Sequence, residues 1–470
     1  MPSALALFTR DLRVSDNPML TAAAESTHPV VALFVLDQAL LSSTTVGPNR
    51  RAFLHESLLD LSSSLDGRGV SLQLRFGNWC DEVIEAVKLH EATEVHLSAD
   101  VSQFAQRRQV ELKERLARCG VELRLHPGVT VVEPGTLRPA SGTEYKVFTP
   151  YYRKWCEVPR RPVLDAPSLF SAQGTVNAPG AVEVPRVTDA LASGDSILRA
   201  ALRTPEDQLA PQRLVGGETV ARKRMREWSR STLSNYESIH NDLATDQTSH
   251  LAPYLHFGCL SPNELAQHAE RIPGGGPFVR QLCWRDFYHQ ILAARPEVGA
   301  VDYRPRGDVW NSDSQAFEAW ATGRTGYPLV DAAMRQLLVE GFMHNRARMV
   351  VASFLTKDLY IDWRLGAAHF LHHLLDADVA NNQLNWQWTA GTGSDTNPNR
   401  IFNPVLQGRR FDPTGEYIRR YLPELAGLDG ASIHWPSPLD RAIADYPLPI
   451  VDHHEAIAAY RNELQRIRSS

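Results

Sequence analysis

From the N-terminus to about Thr130 the chain alternates short apolar runs with amphipathic stretches, the pattern of a parallel sheet covered by helices. Ala4 to Phe8, Val30 to Leu36, Ser71 to Phe76, Val95 to Ser98 and Val121 to Leu125 read as strands. Between them Leu54, Leu58, Leu61 and Leu65 fall at helical spacing, as do Val83, Ile84 and Val87. Residues 1–130 are therefore expected to form a doubly wound α/β domain. No strand leads into Gly-x-Gly-x-x-Gly, so the dinucleotide fingerprint is missing and a nicotinamide site of that kind is disfavoured.

Residues 131–200 are expected to be an interdomain linker, because the stretch from Pro159 to about Ser196 is rich in Pro, Ala, Ser and Gly and has little periodicity. From 201 to 470 the periods are helical, as at Leu329, Ala333 and Leu337, at Met349, Val350 and Phe354, and at Leu371, Leu374 and Leu375. An all-α second domain is the expectation, and 470 residues suit two cores better than one.

The five cysteines are scattered and never form a Cys-x-x-Cys pair, which reads as reduced thiols. With no basic leader and no apolar run of membrane-spanning length, a cytoplasmic, monomeric chain is expected. The net charge of −5 leaves room for a basic patch on one face only.

Half of the ten tryptophans, Trp284, Trp310, Trp363, Trp386 and Trp388, fall in the central part of the helical region. Any one alone reads as core packing. Beside them, however, Asn345-Arg346-Ala347-Arg348-Met349, Asp376-Ala377-Asp378 and Asn381-Asn382 set polar groups into apolar helices. Such groups are costly to bury unless a partner satisfies them, and a large ligand with donors and acceptors would do so. His369, His372 and His373 share a helical spacing suited to a metal, but no Cys or catalytic Glu accompanies them, so solvated or capping histidines are expected and no metal.

Several long motifs carry a resemblance. Thr325 to Leu337, Met343-His344-Asn345-Arg346-Ala347-Arg348-Met349, Asp362-Trp363-Arg364, Asn385-Trp386-Gln387-Trp388, Arg400 to Pro404, Gly408 to Asp412, and Phe8 to Arg13 with Asp16-Asn17-Pro18 together resemble the photolyase and cryptochrome family. Within it the chain is most similar to class I cyclobutane pyrimidine dimer photolyases. The resemblance spans nearly the whole chain and implies a carbon–carbon lyase that repairs damaged DNA with blue light.

It further implies reduced, anionic FAD in the helical domain. Tyr236, Arg285 and the loop Thr248-Ser249-His250-Leu251-Ala252 are similar to the family's phosphate side, although His250 and Ala252 replace a common Arg and Ser. Arg348 pairs with Asp376 beside the flavin, followed by Ala377 and by Asp378 as an acceptor. Asn382 matches the position next to flavin N5, where an amide accepts without offering an acidic proton. Trp386, Trp363 and Trp310 correspond to the indoles that carry an electron inward.

For the substrate, the resemblance implies DNA with a pyrimidine dimer extruded from the duplex into a cavity. Trp284 and Trp388 match its aromatic walls, Asn345 and Met349 its contacts, and Arg346, Arg400, Gln407 and Arg410 are candidate backbone contacts. Arg222-Lys223-Arg224 reads as a solvated face. Gln281 stands where many cyclobutane-dimer enzymes have Glu and (6-4) enzymes often have Gln, yet the histidines of (6-4) enzymes are replaced by Asn345 and Met349, which favours the cyclobutane lesion. Ser102-Gln103-Phe104-Ala105 lacks the Tyr-Glu pair of folate binders, so 8-hydroxy-5-deazaflavin is preferred over methenyltetrahydrofolate as antenna. A cryptochrome-type photoreceptor and a (6-4) photolyase remain the alternatives.

Overall fold

A computed structural model describes residues 2–167 and 204–469. Of the expected linker, residues 168–200 lie outside the described residues, and its first part is not plain linker, since Phe148–Glu157 is a helix that buries Phe148, Tyr151 and Trp155. Five parallel strands form one sheet: β1 (Ser3–Phe8), β2 (Val30–Asp37), β3 (Leu72–Gly77), β4 (Ala92–Ser98) and β5 (Glu122–His126). Their order is β3-β2-β1-β4-β5, and β1 pairs with β2 in the register Ala4↔Val30 to Phe8↔Phe34. This is the doubly wound arrangement, in which the strand order reverses beside β1. All six residues of β1 are buried, as a central strand covered on both faces requires, whereas edge strand β5 exposes Glu122, Arg124 and Leu125. The helices Pro48–Asp66 and Trp79–Leu89 bury Leu58, Leu61 and Leu65, and Val83, Ile84 and Val87.

The chain divides into two compact units, and the division differs from the one expected. The first comprises Met1–Leu209, Val215–Ser234 and Ser249–Pro296; the second comprises Ala210–Leu214, Asn235–Thr248 and Glu297–Ser470. Two helical stretches past residue 200 therefore belong with the sheet. Long-range polar bonds explain why. Glu218 accepts from the backbone N–H groups of Val14 and Ser15 at 2.7 and 3.1 Å, and the buried Arg13 guanidinium donates to the Gly258 carbonyl at 2.9 Å. Gly258 sits at φ +70°, and a Cβ there would lie 1.9 Å from the Arg10 carbonyl oxygen, so only glycine lets the two backbones approach.

The second unit is helical, with a core that includes Trp320, Leu329, Ala333, Leu337, Val350, Phe354, Trp363, Leu371 and Trp386. Phe354–Asp358 forms a π-helical turn, a local widening that often marks functional sites. No helix among the described residues is long and apolar enough to cross a membrane.

Candidate active site

In the second unit, Arg348 on the Asn345–Ser353 helix reaches Asp376 just before the Val379–Ala390 helix. Arg348 Nη2 donates to Asp376 Oδ2 at 2.9 Å, and Nε donates to the Met343 carbonyl at 2.7 Å. The second oxygen of the mostly buried Asp376 carboxylate, Oδ1, is buried without a protein partner. An ionised oxygen left so is costly, and a donor supplied by a ligand would remove that cost. Ala377 is buried beside it.

Asp378 performs a local task that the sequence reading did not give it. It is the N-cap of the Val379–Ala390 helix, with Oδ1 accepting from Asn381 N at 3.0 Å and Asn381 Nδ2 at 2.8 Å. One turn on, Asn382 directs its Nδ2 to the Ala367 carbonyl at 3.1 Å and to Gln383 Oε1 at 2.9 Å.

Two turns past Asp378, Trp386 is buried against Phe370, with ring centroids 5.0 Å apart, and Trp320, 6.0 Å apart. Gly366 makes this possible: a Cβ at that position would lie 2.3 Å from Trp386 Cη2. Gly366 is one turn along the Trp363–His373 helix from Trp363, which is fully buried and donates through Nε1 to Asp302 Oδ1 at 2.8 Å. Trp310 packs on Tyr360 at 5.0 Å. The ring partners of Trp386 and Trp310 are thus other aromatic residues, whereas Trp363 carries the Arg364 guanidinium 4.8 Å from its ring centroid. Gly366, Trp320 and Tyr360 carried no assignment from sequence. The one local signal was Gly366, a glycine inside a helical pattern, which costs about 1 kcal/mol relative to Ala and so marks a close approach.

A second polar face lies on the same unit. Asn345 is exposed, with Nδ2 4.0 Å from Met349 Sδ one turn away. Arg346 donates from Nε and Nη2 to Asn241 Oδ1 at 3.1 and 2.7 Å, and its guanidinium lies 4.3 Å from the Phe411 ring centroid. Arg410 lies 5.0 Å from the same ring, and Arg400 lies 5.0 Å from that of Trp388. Burial, then repulsion from Arg410 and Arg400, pulls the Arg346 pKa below its ordinary value. Three guanidiniums crowded in this way favour an incoming anion. Gln407 Oε1 is buried without a protein partner. Asn241 and Phe411 hold Arg346, yet neither is adjacent to it in sequence.

Of the expected phosphate-side residues, Tyr236 is buried, which pushes its phenol up to about 12, and Thr248 Oγ1 donates to Asp246 at 2.6 Å, both in the second unit. The remainder lie in the first unit. Ser249 Oγ accepts from Leu251 N at 3.3 Å, His250 adopts φ +51°, and Ala252 begins the single-turn helix Ala252–His256.

Gln281, Trp284 and Arg285 share the Gly276–Ala294 helix of the first unit, and Gln281 is exposed. Trp284 stacks face to face on Phe148, centroids 3.7 Å apart and 4° from parallel, so one of its faces is already covered. Arg285 donates to the carbonyls of Val129 and Leu255 at 2.5 and 3.5 Å. Arg222, read as a solvated charge, is held by both oxygens of Glu264 at 2.8 Å. His369 and His373 have ring centroids 4.5 Å apart, tilted at 52°, and burial with repulsion from neighbouring histidines lowers their pKa values to about 3 and about 4, so they are not the solvated histidines expected.

The chain matches the family model described as the FAD binding domain of DNA photolyase over residues 278–466, and that of DNA photolyase over residues 4–168. It is 48% identical to the deoxyribodipyrimidine photo-lyase of Streptomyces griseus, across 98% of each chain. It resembles the crystal structure of a class III photolyase from Agrobacterium tumefaciens, with TM-score 0.90 and 32% identity, covering 100% of this chain and 98% of that one. It also resembles an archaeal photolyase from Sulfolobus tokodaii solved with two FAD molecules, with TM-score 0.84 and 26% identity, covering 99% of this chain and 100% of that one. With matched models over most of its length and a near full-length relative at 48% identity, the chain belongs to the DNA photolyase and cryptochrome family.

Proposed function

We propose that this chain is a light-driven DNA lyase that splits cyclobutane pyrimidine dimers with reduced, anionic FAD. The observation that carries the flavin reading is the buried, unpartnered Asp376 Oδ1 beside the Arg348 ion pair, six residues ahead of the oriented amide of Asn382. These groups fit a cofactor that presents both donors and acceptors to a mostly apolar wall. When bound, FAD supplies the light-driven transfer of one electron to the dimer and its return.

The protein's own residues have four tasks. Arg348 neutralises Asp376 and fixes the carboxylate, so that Oδ1 is available to a flavin donor. Asn382 offers an acceptor and no acidic proton. Trp386, Trp363 and Trp310 supply indoles for inward electron flow, with Trp386 held immobile on Gly366. Arg346, Arg400 and Arg410 attract the phosphodiester, while Trp388 gives a flat apolar surface to an extruded base. Gln407 adds an amide to this face.

Asn345 and Met349 favour the cyclobutane lesion over the (6-4) product. Neither titrates, so this helix face offers no proton donor, and cyclobutane splitting needs none. For the antenna we favour 8-hydroxy-5-deazaflavin over methenyltetrahydrofolate. The carboxyl ends of the strands gather Arg10 with Asp100 at 3.2 Å, and Arg108 with Asp37 at 3.1 Å and over Trp79 and Phe104 at 4.3 and 4.7 Å. A planar, anionic chromophore suits such a place. A cytoplasmic monomer acting on damaged DNA completes the reading.

The test mixes the FAD-bound, reduced protein with oligonucleotides carrying one defined lesion. Loss of cyclobutane dimers under blue light, none in the dark, and no change in a (6-4) substrate is the expected result. Tight binding without repair in light would overturn the lyase reading in favour of a photoreceptor, and repair of the (6-4) substrate alone would overturn the lesion assignment.

A further inference from the structure

Gln383 follows Asn382 on the Val379–Ala390 helix, and their side-chain amides form one directed chain. Gln383 Nε2 donates to the backbone oxygen of Gly299 at 3.0 Å, which turns Oε1 toward its neighbour. Asn382 Nδ2 donates to that Oε1 at 2.9 Å and to the backbone oxygen of Ala367 at 3.1 Å. A carbonyl oxygen only accepts and an amide nitrogen only donates. Flipping either amide would therefore set acceptor against acceptor, once at Gly299 or twice at Asn382. Both orientations are fixed by the network, with Asn382 Oδ1 as the end of the chain that the protein leaves available.

We propose that Gln383 is a positioning residue that locks Asn382 with its carbonyl oxygen, rather than its NH2 group, toward the flavin. This rests on the reading that Asn382 meets the N5 edge. An oxygen there accepts from the N5–H of reduced flavin and gives nothing to the bare N5 of the oxidised ring. The opposite orientation would donate to bare N5 and favour oxidised flavin. The lock therefore biases the two-electron couple toward the reduced form, which is the form the lyase needs.

The experiment is a spectroelectrochemical titration of the FAD-bound protein as wild type, Gln383→Leu, Asn382→Ala and the double variant. Far-UV circular dichroism and FAD per chain report whether each has folded and loaded; Gln383→Met, which keeps the chain length, replaces Gln383→Leu if the latter does not fold. In the wild-type background, Gln383→Leu shifts the reduced-to-oxidised ratio at a fixed potential toward oxidised flavin by about two- to tenfold, the worth of one hydrogen bond. In the Asn382→Ala background the same substitution shifts nothing, because the group it acts through is gone. Equal shifts in both backgrounds, or no shift from Gln383→Leu where Asn382→Ala does shift the ratio, would overturn the lock while leaving Asn382 at N5. No shift from Asn382→Ala would overturn the reading beneath it.

Discussion

Two clusters of charged side chains, one in each unit, are satisfied in different ways. In the first unit, Asp11 accepts from Thr9 N and Ser98 Oγ at 2.8 and 2.7 Å, and Asp16 takes Arg161 and Leu164 N at 2.8 and 2.9 Å. Arg13 spends its guanidinium on the carbonyls of Asp16, Gly128 and Gly258. Every one of these side chains is turned inward onto the chain itself. In the second unit, Asp376 has one oxygen on Arg348 and the other on nothing, and three guanidiniums crowd around Phe411 and Trp388. The difference separates polar groups that hold a fold from polar groups that await a ligand, although both sets carry charge.

The first unit should break hardest. Arg13→Met strips three carbonyls of their donor and leaves Asp11 and Asp16 without the charge between them. Removing one member of a buried charged network costs about 3–5 kcal/mol. Urea unfolding should show the unfolding free energy falling by that amount and the midpoint falling with it, with or without FAD. Asp376→Ala should do the reverse, leaving the apoprotein's unfolding midpoint close to wild type while FAD affinity falls about 10- to 100-fold, the range for losing a charge-assisted hydrogen bond. Flavin fluorescence on release measures it. A large stability loss with unchanged FAD affinity would place Asp376 in the structural class.

An intermediate case lies where packing and function share a contact. Gly366→Ala puts a methyl 2.3 Å from Trp386 Cη2 and 2.6 Å from Leu355 Cδ2, neither of which can yield without moving the core. Overpacking of this kind costs about 1–3 kcal/mol. Thermal unfolding should register that loss, and time-resolved absorption should register slower electron entry if the indole shifts.

Sequence reading succeeded where the physics is local. The five strands were visible because parallel strands buried on both faces must be apolar runs, and the observed ends fall within three residues of those expected. The Arg348–Asp376 pair and the helix carrying Asn382 were reached through motif resemblance. What stayed hidden depends on contacts between distant residues. Nothing beside Trp284 shows that Phe148 will cover one of its faces, nor beside Arg285 that its donors will go to Val129 and Leu255. Residues 215–234 and 249–296 read as part of the helical domain because their own periods are helical. Their place in the first unit depends on bonds such as Glu218 to Val14, across more than two hundred residues. Gln383 was overlooked for the same reason, since the Gly299 carbonyl that orients it lies far from it in sequence.

The smallest effect is the most discriminating for the basic residues, because Arg222 and Arg346 look alike in sequence and differ in what holds them. Arg222 is closed on both oxygens of Glu264, so a phosphate would have to displace a carboxylate. Arg346 is held by the neutral oxygen of Asn241 and the face of Phe411, and its charge is left uncompensated among Arg400 and Arg410. Arg346→Gln should therefore weaken binding to DNA of any sequence by a similar factor and reduce the slope of log affinity against log salt by about one. Arg222→Gln should leave that slope unchanged. Fluorescence anisotropy across a salt series reads both, and equal slopes for the two variants would mean that what holds each arginine does not decide which of them meets the phosphates.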